Sequence, residues 1–135
     1  MSESEHRAVQ APHDRQHTTS DTETRDDNAV ILVYTTFPAL GDAKNAGRDL
    51  VARGLAACVN IFPQMTSIYV WEGKAEEAEE VVMIVKTTEQ RRTAVLDEIQ
   101  RLHPYDVPAR MVIPVTGGGE DFLNWIGSQC RAGKD

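Results

Sequence analysis

Three runs in this chain are apolar at almost every position: residues 29–37 (AVILVYTTF), 81–85 (VVMIV) and 111–115 (MVIPV). Runs of β-branched and aliphatic residues of this length read as strands. A strand in a one-sided antiparallel sheet alternates apolar with polar residues, so strands apolar on both faces need cover on both. A chain of 135 residues fits one domain, and a layer of two helices covers only one side of its sheet. The pattern therefore predicts an oligomer in which sheets pack on one another.

The segments between these runs set the order of elements. Pro38 and Gly41 punctuate the first strand, 29–37. Residues 42–53 read as a helix, with Ala43, Ala46, Leu50 and Val51 on one face and Gly54 placed to end it. Residues 57–71 read as a long strand or a broken strand pair, bent or bulged at Pro63. Glu72-Gly73-Lys74 reads as a turn and 80–87 as the next strand. Thr87 and Gln90 have capping-box spacing ahead of a second helix with the stripe Val95, Ile99, Leu102. Residues 111–116 form the last predicted strand, and Glu120 and Asp121 open a short third helix after three glycines. The order β-α-β-β-α-β-α is the ferredoxin-like split βαβ pattern, an α+β fold with an antiparallel sheet and one added helix.

The first 28 residues differ in kind. They hold four clearly apolar residues and seven acids against three arginines, a net of −4 within the chain's −7. So little apolar surface cannot offset ordering entropy. Residues 1–28 are expected to be a disordered acidic tail, 29–130 the folded domain and 131–135 a short C-terminal tail. The remaining charge is not basic, which argues against nucleic acid or an anionic membrane as partner. No apolar run approaches the roughly 20 residues of a membrane span. Cys58 and Cys130 lack a metal or redox spacing. With no signal peptide, the chain is expected to be cytoplasmic with reduced thiols.

Function on this topology must come from sites. Residues 80–87 carry no aromatic ring for base stacking, unlike RNA-recognition domains. The first loop has neither the paired cysteines of a Cu(I) chaperone nor the arginine of a phosphoryl clamp. No nucleophile–base pair is visible, so no enzymatic activity is expected. What stands out is His103-Pro104-Tyr105-Asp106-Val107-Pro108, where two prolines stiffen a loop carrying an imidazole, a phenol and a carboxylate.

Five motifs, in order, resemble the CutA family of divalent-cation tolerance proteins. They are residues 55–61 (LAACVNI), 67–74 (SIYVWEGK), 80–87 (EVVMIVKT), the loop 103–108 (HPYDVP) and 122–125 (FLNW). The resemblance covers about 100 residues of the chain. The resemblance implies a ferredoxin-like homotrimer, binding of copper or another divalent metal, and a role in metal tolerance. It brings no organic cofactor. Asp106 replaces the family's usual Glu, Ala109 a frequent second Glu, and Phe122 a common Tyr. One copper arrangement in bacterial members uses a strand-one cysteine and two adjacent histidines. Here that strand has Tyr34 and Thr35, and a single histidine follows Leu102.

The metal-ligand candidates are His103, Asp106 and Cys58. Neutral imidazole and thiolate suit copper and zinc. The competing reading makes His103 a capping or interface residue and Cys58 a small buried hydrophobe. Tyr69, Trp71, Lys74, Glu80, Lys86 and Tyr105 are candidates for lining an intersubunit cleft. The alternatives are subunit packing for the two aromatics Tyr69 and Trp71, and salt bridges across the hairpin for the charges. Two functions remain open: a trimeric, cytosolic copper-binding protein of metal tolerance, or a non-enzymatic trimeric scaffold or small-molecule sensor using intersubunit clefts.

Overall fold

The computed structural model describes residues 26–131. Its elements are β1 (Val30–Phe37), α1 (Leu40–Ala52), β2 (Cys58–Trp71), β3 (Lys74–Thr88), a 3-10 turn (Glu89–Arg91), α2 (Arg92–Leu102), β4 (Arg110–Pro114) and α3 (Glu120–Gln129). The four strands form one antiparallel sheet in the order β2-β3-β1-β4. This is the expected ferredoxin-like α+β topology.

The sheet's two faces have different cover. Ile31, Val33 and Phe37 of β1 and Val81, Met83 and Val85 of β3 point toward the helix layer. There they pack with Ala43, Ala46 and Leu50 of α1 and Val95 and Ile99 of α2. α3 covers one end of the opposite face, where Ile126 and Cys130 pack with Val30 and Ala57. Among the described residues no further helix covers the rest of that face, although Thr36 and Val82 on it are buried. Cross-strand partners set it out in three rows: Phe62–Val82–Thr36, Asn60–Ile84–Tyr34–Met111, and Cys58–Lys86–Leu32–Ile113. Phe62, Met111 and Ile113 are exposed.

Local chemistry explains where elements begin and end. α1 ends in a Schellman turn. Gly54 takes φ +72° and donates to the Val51 carbonyl, while Leu55 donates to Leu50. At Pro63-Gln64 two residues of β2 oppose Val81 alone, which makes a β-bulge with Gln64 at φ +64°. Glu72 and Gly73, at φ +51° and +82°, form the two-residue turn of the β2–β3 hairpin.

Several expected boundaries differ. α1 starts at Leu40 rather than residue 42, behind Ala39, whose extended backbone offers no capping side chain. No Ser, Thr, Asp or Asn marked that start, and Asp42 lies inside the first turn instead. The Thr87–Gln90 capping box does not form. β3 runs through Thr88, and the Thr87 hydroxyl donates to the Leu55 carbonyl at 2.7 Å. β3 begins at Lys74 rather than residue 80, so residues 75–79 lie within a strand rather than ahead of one. From Lys74 to Glu80 that strand pairs only with β2, leaving a two-stranded ribbon past the end of β1. β4 is residues 110–114 rather than 111–116. Asp26 to Asn28, assigned to the tail, form a turn, and Asp27 accepts from the Gln90 amide. Residues 1–25 and 132–135 of the two expected tails lie outside the described residues.

Candidate functional site

The loop after α2 is where the candidates gather. Pro104 drives His103 to extended backbone, φ −82° and ψ 140°, and α2 stops there. The turn carries the imidazole onto the end of β1. Its Nε2 lies 2.6 Å from the Thr36 carbonyl oxygen, and its Nδ1 accepts the Tyr105 amide at 3.1 Å. A carbonyl can only accept and an amide N–H can only donate, so these contacts require the neutral ring with hydrogen on Nε2. The ring stacks on Phe37 at 4.5 Å between centroids and is flanked by Tyr105 at 4.9 Å. His103 is 8% exposed. Burial holds its pKa below the usual imidazole value, outweighing the Thr36 hydrogen bond and the Asp42 charge.

The other proposed ligands stand apart. Asp106 is exposed, and its backbone carbonyl accepts from Gln100 Nε2 at 2.9 Å. Cys58 opens β2 opposite Lys86, whereas the Phe37 beneath His103 is opposite Val81. Five residues along β3 correspond to roughly 17 Å. Cys58 instead lines a groove of about 580 Å³ between α1 and β2, with Lys44, Arg48, Val51 and Ile61. Among the described residues, no three His, Cys, Asp or Glu side chains converge to hold a metal ion. His103, Asp106 and Cys58 of one chain therefore do not fit a metal: the imidazole has both nitrogens in use, and Cys58 lies toward the other end of the sheet.

The cleft candidates divide differently. Tyr105 reaches past the end of β1, and its hydroxyl donates to Glu80 Oε2 at 3.5 Å. Ser67 donates to Glu80 Oε1 at 3.3 Å. Glu80 is 4% exposed. Register places Tyr69 opposite Glu76 and Trp71 opposite Lys74, on the ribbon face shared by Ser67 and Glu80. Lys86 is at the other end of β3, with Nζ 5.3 Å from the Phe122 ring centroid. One chain thus unites Ser67, Glu80 and Tyr105, extends toward Tyr69, Trp71 and Lys74, and leaves Lys86 apart.

Sequence reasoning did not single out Thr36, Phe37, Ser67 or Arg91. Thr36 acts through its backbone carbonyl, which no side-chain pattern reveals. Arg91 is buried, and its Nε and Nη2 donate to the Cys130 and Arg131 carbonyls at 3.0 Å each, holding the C-terminal end of α3. A helical stripe cannot show that an arginine points inward.

Residues 31–129 match the family model described as CutA1 divalent ion tolerance protein. The chain belongs to this family. The Escherichia coli divalent-cation tolerance protein CutA is 40% identical over 103 residues, covering 76% of this chain and 92% of that protein. CutA1 from Oryza sativa has a TM-score of 0.74 at 36% identity, covering 77% of this chain and 95% of that one. The Archaeoglobus fulgidus CutA, described as periplasmic, has a TM-score of 0.71 at 40% identity, with 76% and 99% covered. The CutA1 match starts at Ile31 of β1 and ends with α3 at Gln129, so among the described residues it takes in every strand and helix except Val30.

Proposed function

We propose that this CutA-family chain acts in divalent-cation tolerance as a non-enzymatic, cytoplasmic homotrimer. In this reading it contacts copper or another divalent metal through donors contributed by more than one subunit. The observation that carries this reading is the sheet face opposite the helix layer, where Phe62, Met111 and Ile113 stand exposed in three cross-strand rows. An isolated two-stranded ribbon is marginally stable, so the β2–β3 extension also calls for a partner surface. Ile68 and Val70 on it are 71% and 67% exposed. A cytoplasmic location accords with the absence of a disulfide between Cys58 and Cys130.

Light scattering after size-exclusion chromatography tests the assembly. Three 15.0 kDa chains should give a mass of about 45 kDa, and Met111→Asp should lower that mass. A monomeric wild type at low micromolar concentration would end the proposal. Copper titration against a competing chelator tests the metal reading. Unchanged affinity in His103→Ala would remove His103 from any site, and no affinity above the chelator's would remove copper.

The Ser67–Glu80–Tyr105 cluster favours a second reading, a scaffold or small-molecule sensor whose ligand sits at the base of the ribbon. Thermal-shift screening of metabolites beside metals separates the two readings. A metabolite response lost in Glu80→Gln supports the sensor, and no metabolite response counts against it.

A further inference from the structure

A second cluster of titratable groups lies between α1 and α2, away from the loop. Arg101 donates from Nε and Nη2 to the two oxygens of Glu98, at 3.1 and 2.6 Å. Arg53 Nε lies 3.4 Å from Asp49 Oδ1 and 3.9 Å from Glu98 Oε2. Two carboxyl groups, one from each helix, thus converge on a single guanidinium nitrogen. Glu98 is 8% exposed, and Asp49 Oδ2 is buried without a hydrogen-bond partner. A buried carboxylate oxygen facing another carboxylate has no donor to satisfy it and pays repulsion as well. One proton removes both penalties, because it turns that oxygen into a donor.

We propose that Asp49 and Glu98 form a carboxyl–carboxylate pair that holds one proton between them and clamps α1 to α2 in a pH-sensitive manner. The electrostatics agree in sign. The hydrogen bond that a protonated Asp49 would donate to Glu98, then burial, then the Glu98 charge raise the Asp49 pKa above its ordinary 3.8, against the pull of Arg53 and Arg101. Hydrogen bonds from Arg101 and Asp49 hold Glu98 down at about 2 against burial. Opposed shifts in two adjacent acids are what a shared proton produces. Arg53 on α1 and Arg101 on α2 are the charged groups that face the pair. A raised acid contributes stability that is fully present below its unfolded pKa and is lost as pH rises through the folded one. The Glu98 contribution has the opposite sign: it is present above its ordinary 4.5 and lost only toward about 2. Between pH 4 and 7 the pair's pH response therefore belongs mainly to Asp49.

Asp49→Asn tests this, since the amide N–H supplies the donor permanently and carries no charge. Melting curves of wild type and D49N across pH 4 to 7 should diverge, with D49N gaining several degrees on wild type as pH rises. Parallel curves overturn the proposal. The carboxyl carbon of Asp49, followed by NMR in the wild-type protein, should titrate above the ordinary carboxylate range. Titration at or below that range overturns it independently of how any variant folds.

Discussion

His103 Nε2 donates to the Thr36 carbonyl at 2.6 Å, tying the end of α2 to the end of β1 across 67 residues of sequence. The contact spends the nitrogen that a metal ligand would need, and the Tyr105 amide occupies the other one. Phe37 stacks against the same ring at 4.5 Å. His103→Ala removes the stack and leaves the Thr36 carbonyl without this donor. It should cost about 2–3 kcal/mol of stability, read as a lower urea midpoint. An unchanged midpoint would show that the loop holds without its histidine.

Acid should release the same loop. Burial lowers the His103 pKa, so its contribution to stability is present above the ordinary 6.5 and is lost as pH falls through the folded value. Protonated Nδ1 can no longer accept the Tyr105 amide. Hydrogen exchange at Tyr105, corrected for its intrinsic pH dependence, should lose protection as pH falls below about 6.5, and His103→Gln should lack that transition.

Arg91 should govern α3. Its fork reaches two consecutive carbonyls at the helix end, Cys130 and Arg131. Arg91→Ala should cost about 2 kcal/mol and selectively speed amide exchange in residues 120–129. Arg91→Lys should not restore protection, because an ammonium lacks the planar pair of donors.

Two glycines should fail for different reasons. A Cβ on Gly47 would meet Val59 Cγ2 at 2.8 Å, with Met83 Sδ and Ile61 Cδ1 behind it, so Gly47→Ala pushes α1 off the sheet. Overpacking of this kind costs about 1–3 kcal/mol. Gly54→Ala meets backbone strain at φ +72° and should cost about 1 kcal/mol. Chemical denaturation checks both, and a variant with the wild-type midpoint would contradict the account of its glycine.

How much of this was legible beforehand varies by element. Val30–Phe37, the α2 stripe Val95 and Ile99, the Gly54 stop and the Pro63 bulge were readable because each depends on neighbours in sequence. The start of α1 was hidden because Ala39 carries no capping oxygen. The ribbon half of β3 was hidden because 74–80 is largely charged and pairs across a hairpin rather than packing into a core. Thr87 looked like a cap because its spacing to Gln90 was right, yet its hydroxyl is taken by Leu55, 32 residues away.

The sequence alone determined the order of strands and helices, the two-faced apolar strands and the stiff loop at residues 103–108, since periodicity, proline geometry and glycine dihedrals are local properties. The tertiary structure alone decided what the polar side chains do. It turned His103 from a candidate ligand into a neutral, doubly hydrogen-bonded strut, joined Glu80 to Tyr105 and Ser67, and set Asp49 against Glu98 between two helices. A side chain's chemistry depends on its burial and on which donors and acceptors reach it, and those partners come from distant parts of the chain.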